Sequence, residues 1–143
     1  MDCGCTWHPW DYGPEPLVVN IDEAAKKNPN YRTALWTGVN LQVTLMSIPV
    51  GGEIGLEVHH DTDQFIRVES GTALAELGPA ADKLTEKRRM DDRYALMVPA
   101  GTWHNVTNTG KTPLKLYTIY APPHHPHGTI QATKAEADAA EHG

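Results

Sequence analysis

The 143-residue chain has no apolar run approaching the ~20 residues that a bilayer-spanning helix needs. Its first ten residues, MDCGCTWHPW, hold neither the basic stretch nor the apolar stretch of a secretory leader. A soluble, cytoplasmic protein is expected. Positive charge is also scarce: 12 Lys and Arg against 18 Asp and Glu leave a formal net charge of -6. Such a field repels phosphate backbones and anionic lipid heads, so neither nucleic acid nor a membrane surface is expected as a partner. The one basic run, Lys87-Arg88-Arg89, is followed directly by Asp91 and Asp92, which balance it locally. Cysteine is limited to Cys3 and Cys5, separated only by Gly4. That spacing is too short for a comfortable disulfide, and one Cys-x-Cys pair supplies half of the four ligands a closed zinc site takes. The two read as reduced, incidental thiols.

What is present is ordinary for one globular core, with 40% hydrophobic and 21% charged residues. Residues 1–30 read as an N-terminal arm. Within it, residues 17–27 (LVVNIDEAAKK) suggest a short strand and then a helix, capped by Asn20 or Asp22 and ended by Asn28-Pro29-Asn30. From residue 31 to 121 the chain changes to short β-branched, aromatic and aliphatic runs broken by Gly, Pro and Asn, the punctuation of an all-β fold. Strands are expected over 33–35, 41–48, 57–59, 64–69, 72–77, 94–98, 104–107 and 114–120, with a helix-like piece at 82–89 looping over one end. Residues 122–143 read as a strap, Pro122-Pro123-His124-His125-Pro126-His127-Gly128, followed by a short polar helix over 134–141.

The chemistry-bearing residues are concentrated in two places. In a strand, residues at i and i+2 share a face, so Glu57 and His59 point the same way. If the chain then turns back as a hairpin over 60–63, Gln64 lies opposite that pair. His60 should point outward. Later, the turn Pro99-Ala100-Gly101 delivers His104 at the start of a strand that continues to Asn108.

These residues resemble the two sequence motifs of the cupin superfamily. Gly51 is followed after five residues by Glu57-Val58-His59, after four more by Gln64, and after six more by Gly71; Pro99, Gly101, His104 and Asn108 match the second motif at every position. The resemblance implies a small single-domain antiparallel β-barrel, a double-stranded β-helix or jelly roll, with short peripheral helices. It also implies one divalent transition metal, held by Glu57, His59, Gln64 and His104. Glu57 stands where a His is usual and Gln64 where a Glu is usual. Two imidazoles, a carboxylate and an amide carbonyl suit Mn, Fe, Ni or Zn over Cu(I). A metal-free, hydrogen-bonded polar cluster is the alternative reading of the same residues.

Lesser candidates lie around this set. The strand over 41–48 turns inward either Gln42, Thr44 and Met46 or Leu41, Val43 and Leu45, and the last strand poses the same choice between Tyr117 and Tyr120. Tyr117 is taken as a candidate catalytic residue. His127, in a strap that can fold over a barrel mouth, is taken as a candidate general acid/base. The expected function is a metal-dependent cupin enzyme acting on a small, anionic or oxygen-rich metabolite; a non-catalytic metal- or metabolite-binding module is the alternative. The resemblance also implies a homodimer.

Overall fold

The structure, a computed structural model, describes residues 10–142; Cys3, Cys5, Trp7 and His8 lie outside the described residues. A helix α1 (Ile21–Lys27) precedes eight strands: β1 (Arg32–Thr37), β2 (Gln42–Ile48), β3 (Asp63–Ser70), β4 (Ala73–Gly78), β5 (Glu86–Met90), β6 (Ala95–Val98), β7 (Trp103–Asn108) and β8 (Leu114–Ala121). A two-residue strand β9 (Ile130–Gln131) and helix α2 (Lys134–His142) complete the described chain. Every strand pairing is antiparallel. The strands form a six-stranded sheet in the order β6-β3-β8-β2-β1-β9 and a three-stranded sheet in the order β5-β4-β7. This is the expected all-β architecture. No described helix is long and apolar enough to cross a membrane.

The register of the large sheet grades the interior from apolar to polar. Ile48 faces Leu114, and Met46 faces Leu116, which also faces Val68. One layer on, Thr44 faces Thr118, their hydroxyls 2.6 Å apart, and Thr118 also faces Ile66. In the last layer Gln42 and Gln64 flank Tyr120 on either side. One end of the interior is therefore a packed hydrocarbon core, completed from the small sheet by Ala73, Ala75, Leu77 and Val106. The other end is a buried layer of amide, phenol and imidazole, where the chemistry sits.

The alternate residues of the same strands face outward, and part of that face is covered. Ala24 and Ala25 of α1 pack with Leu35, Leu45 and Tyr117, backed by Ile21, Phe65 and Ile119. Asn20 caps the helix, its Oδ1 accepting the Glu23 N–H at 3.0 Å. The expected strand before α1 is not formed.

One further expectation is corrected. Residues 82–89 give no helix: residues 86–90 form β5, paired with β4 so that Lys87 stands opposite Glu76. Pairing with the open side of β4 overrides the helix propensity of Glu-Lys-Arg-Arg, and the exposed charges of β5 suit an edge strand that should recruit no further chain. After residues 122–128, which form neither helix nor strand beyond the end of β8, β9 adds to β1 through Arg32↔Gln131 and Thr33↔Ile130.

Candidate metal centre

Residues 57–59 were expected to form one arm of a hairpin with β3, and that is corrected too. Glu57 instead pairs with His104 of β7, its N–H donating to the His104 carbonyl (3.0 Å) while the His104 N–H donates back (2.9 Å). Upstream, the Asn105 Oδ1 accepts the Gly55 N–H at 2.9 Å, holding the segment alongside β7. The next contact comes from the second motif: Gly101, at φ +86° where only glycine sits without strain, donates its N–H to the His59 carbonyl at 2.8 Å. The Pro-x-Gly turn thus fixes His59 as well as delivering His104. Gln64 arrives from the opposite sheet, on β3, between Val98 and Tyr120.

The four expected donors converge. Glu57 Oε1 lies 3.2 Å from His59 Nε2 and 3.3 Å from His104 Nε2, and Gln64 Oε1 lies 3.1 Å from His104 Nε2. Glu57, His59 and His104 form a cluster whose ligand atoms all lie within 4.8 Å of one another. His104 is 0% exposed and Gln64 3%. His60 is exposed, as expected.

Proton accounting shows what this cluster lacks. The His104 Nδ1 sits 3.0 Å from the Thr102 carbonyl, which can only accept, so Nδ1 carries the proton and Nε2 presents a lone pair in the neutral ring. That lone pair faces a carboxylate oxygen and an amide oxygen, both acceptors. Glu57 Oε1 and His59 Nε2 are themselves buried without hydrogen-bond partners. Burial opposes ionisation of Glu57, but positive charge beside it, carried by proton-bearing imidazoles or by a cation in that proton's place, outweighs burial and holds its carboxyl well below the usual carboxylate range. Convergent lone pairs around a buried anion repel one another unless a cation lies among them. Spacings of 3.1–3.3 Å also match the edges expected between donors that share one ion at about 2.0–2.2 Å. The residues present fit a divalent metal.

The lesser candidates divide. Tyr117 does not reach the centre: it lies on the outer face of β8, packed with α1. Tyr120 takes the inner position, its ring 5.8 Å from that of His59. On β2 the inward set is Gln42, Thr44 and Met46. His127 does not reach the centre either; its Nε2 lies 2.8 Å from the Gly13 carbonyl and 3.4 Å from Asp11 Oδ1, tying the strap to the N-terminal arm.

Its neighbours in the strap come closer. The His124 ring lies 4.2 Å from that of His59 and stacks on Tyr120 at 5.5 Å, and His125 meets Tyr120 edge-on at 5.2 Å. Gln42 anchors them, its Oε1 accepting the N–H groups of His124 (3.2 Å) and His125 (2.9 Å) while its Nε2 donates to the His125 carbonyl (2.8 Å).

Fold and site together define a class, a small antiparallel β-barrel with a buried imidazole, carboxylate and amide donor set toward one end. Residues 44–120 match the family model described as Cupin domain, and the chain belongs to that family. It is 59% identical over 131 residues to the uncharacterized protein YrkC of Bacillus subtilis (strain 168), covering 92% of this chain and 70% of that one. It is 41% identical over 121 residues to the uncharacterized protein L612 of Acanthamoeba polyphaga mimivirus, covering 84% and 74%. The crystal structure of BH2720 from Bacillus halodurans matches with a TM-score of 0.90 at 58% identity, covering 91% of this chain and 98% of that one.

Proposed function

We propose that this protein is a metal-dependent enzyme of the cupin family acting on a small, anionic or oxygen-rich metabolite, with one divalent transition metal held by Glu57, His59, Gln64 and His104. The observation that carries the reading is the convergence of unprotonated donors on one point, with the His104 proton committed to the Thr102 carbonyl on the far side. A nitrogen and oxygen set without thiolate suits Mn, Fe(II), Ni or Zn. Such an ion, when bound, supplies Lewis acidity toward a substrate oxygen and lowers the pKa of a bound water.

The remaining chemistry belongs to the chain. Burial pushes the Tyr120 phenol up, so it stays protonated and can donate a hydrogen bond beside His59. Burial depresses both strap histidines, which therefore present neutral rings. Gln42 holds those rings over Tyr120, so the strap shields this side of the centre from water. We also propose a homodimer, an assignment that light scattering at the monomer mass alone would overturn.

The test is metal analysis of untagged protein by mass spectrometry. About one equivalent of a first-row transition metal per chain is expected, and His104→Ala should abolish it. Because His104 is fully buried, Gln64→Glu serves as a second variant: an anionic oxygen at the same place should raise affinity. Wild-type protein that stays empty after reconstitution with Mn, Fe(II), Ni and Zn would overturn the centre.

A further inference from the structure

Arg32 opens β1 and shares the inward face with Ala34, since its register partner is Met46 of the core. It is 3% exposed. Its Nη1 donates to Gln131 Oε1 at 2.7 Å, and its guanidinium carbon lies 5.3 Å over the Tyr31 ring. The Nε–H has no hydrogen-bond partner, and among the described residues no carboxylate lies within 4 Å of the guanidinium. A buried cation with an unused donor and no counter-ion is costly unless an anion completes it.

The surroundings say where that anion would come from. Arg32 and Glu57 line the same cavity of about 360 Å³, beneath α2, which contributes Lys134, Asp138 and Glu141. Lys134 is already paired with Asp138 at 2.9 Å, so Arg32 is the lining cation without a carboxylate partner among the described residues. A molecule in this cavity can touch both Arg32 and a proposed metal ligand, Glu57. With Glu53, Glu57, Asp138 and Glu141 in the wall, the cavity carries more negative than positive side chains. That balance favours a singly charged group over a phosphate dianion, and a planar guanidinium edge matches the two oxygens of a carboxylate.

We propose that Arg32 is the subsite for a carboxylate group of the substrate, gripping one end of a small carboxylic acid whose other end reaches the Glu57, His59, Gln64 and His104 centre. The assignment rests on the metal reading for that far end only. It makes Arg32 a binding residue that acts on affinity, and no proton transfer is assigned to it.

The experiment is calorimetric titration of the metal-loaded full-length chain with malonate, with malonamide as its uncharged counterpart and with inorganic phosphate, alongside metal analysis of the same samples. Malonate should bind at least about tenfold more tightly than either comparison ligand, a difference within reach of one charge-assisted pair. Arg32→Gln should remove that preference, and Arg32→Lys, which keeps charge but loses the fork, should restore it only in part. If Arg32→Gln fails to fold, the Arg32 Nε–H signal in ¹⁵N-labelled wild-type protein is the direct readout and should move on adding malonate. A metal-loaded protein that binds malonate no better than malonamide, or an Arg32→Gln variant that keeps the preference, overturns the carboxylate subsite and leaves the metal centre standing. Tighter binding of phosphate overturns the choice of carboxylate. Protein that holds no metal overturns the centre, and the Arg32 signal then decides the anion site by itself.

Discussion

Asn108 closes the second motif, yet its amide does no site chemistry. The Nδ2 donates to the carbonyls of Ile48 (2.9 Å) and Thr112 (3.0 Å), and the Oδ1 accepts the Gly110 N–H (2.9 Å). One buried side chain thereby ties β7 of the small sheet to the end of β2 in the large sheet and shapes the turn into β8. Asn108→Ala leaves these backbone groups without partners, and a loss of about 2–4 kcal/mol is expected in urea denaturation. Metal content per folded molecule should not change. The same accounting explains what single positions disclosed in the sequence. Lys115 shares a face with Tyr117 and Ile119, while Leu114, Leu116, Thr118 and Tyr120 alternate with them; a lysine marks the outer face, so Tyr120 as the inward aromatic was legible. On β2 hydropathy misleads, because α1 covers the outer Leu45 while the inner face ends in Thr44 and Gln42. Arg32 gave no signal, since nothing local separates a buried arginine from an exposed one.

Among the elements, the strap is the one whose chemistry can be titrated. The His125 Nε2 is buried without a partner, and burial, with Arg32 and His124 adding to it, pushes the imidazole down to about 3. The docked ring is neutral, whereas an undocked ring takes a proton below about 6.5. The undocked state therefore binds more protons between these values, and docking weakens as pH falls from about 6.5 toward 3, by up to about 1.4 kcal/mol per pH unit. Above pH 6.5 the contribution is constant. Hydrogen exchange over residues 122–128 should accelerate between pH 6.5 and 4.5 relative to the β8 core, and His125→Asn should flatten that dependence; identical profiles would refute the idea. At this scale the sequence was informative wherever punctuation and alternation agreed, as for β2, β3, β7 and β8. It was misleading where pairing decided the outcome. The 82–89 segment has helix-forming charges but an open strand beside it, and the 57–59 segment found its partner in β7 because Gly55 is held by Asn105.

For the whole molecule, the donor set bridges two sheets that otherwise meet mainly through apolar packing and the Asn108 hydrogen bond to Ile48. His104 is on β7 of the small sheet with Glu57 bridged to it, while Gln64 is on β3 of the large sheet. A ligand bound across both must be released before the sheets part, so metal affinity appears directly as resistance to unfolding. At a free metal concentration of about 100 times Kd the gain is about 2.7 kcal/mol. For a domain of this length that is a rise in Tm of roughly 5–10 °C. Chelation by EDTA should reverse the rise, His104→Ala should show none, and Asn108→Ala should keep the full increment from its lower starting Tm. That last comparison separates two residues of one motif: equal increments in wild-type and Asn108→Ala place Asn108 in the scaffold, whereas loss of the increment in both variants would assign Asn108 to the metal centre against the hydrogen bonds seen here. A wild-type Tm that ignores both metal and EDTA would mean that the buried donors of the two sheets meet only one another, and the lone-pair argument for the centre would fail with it.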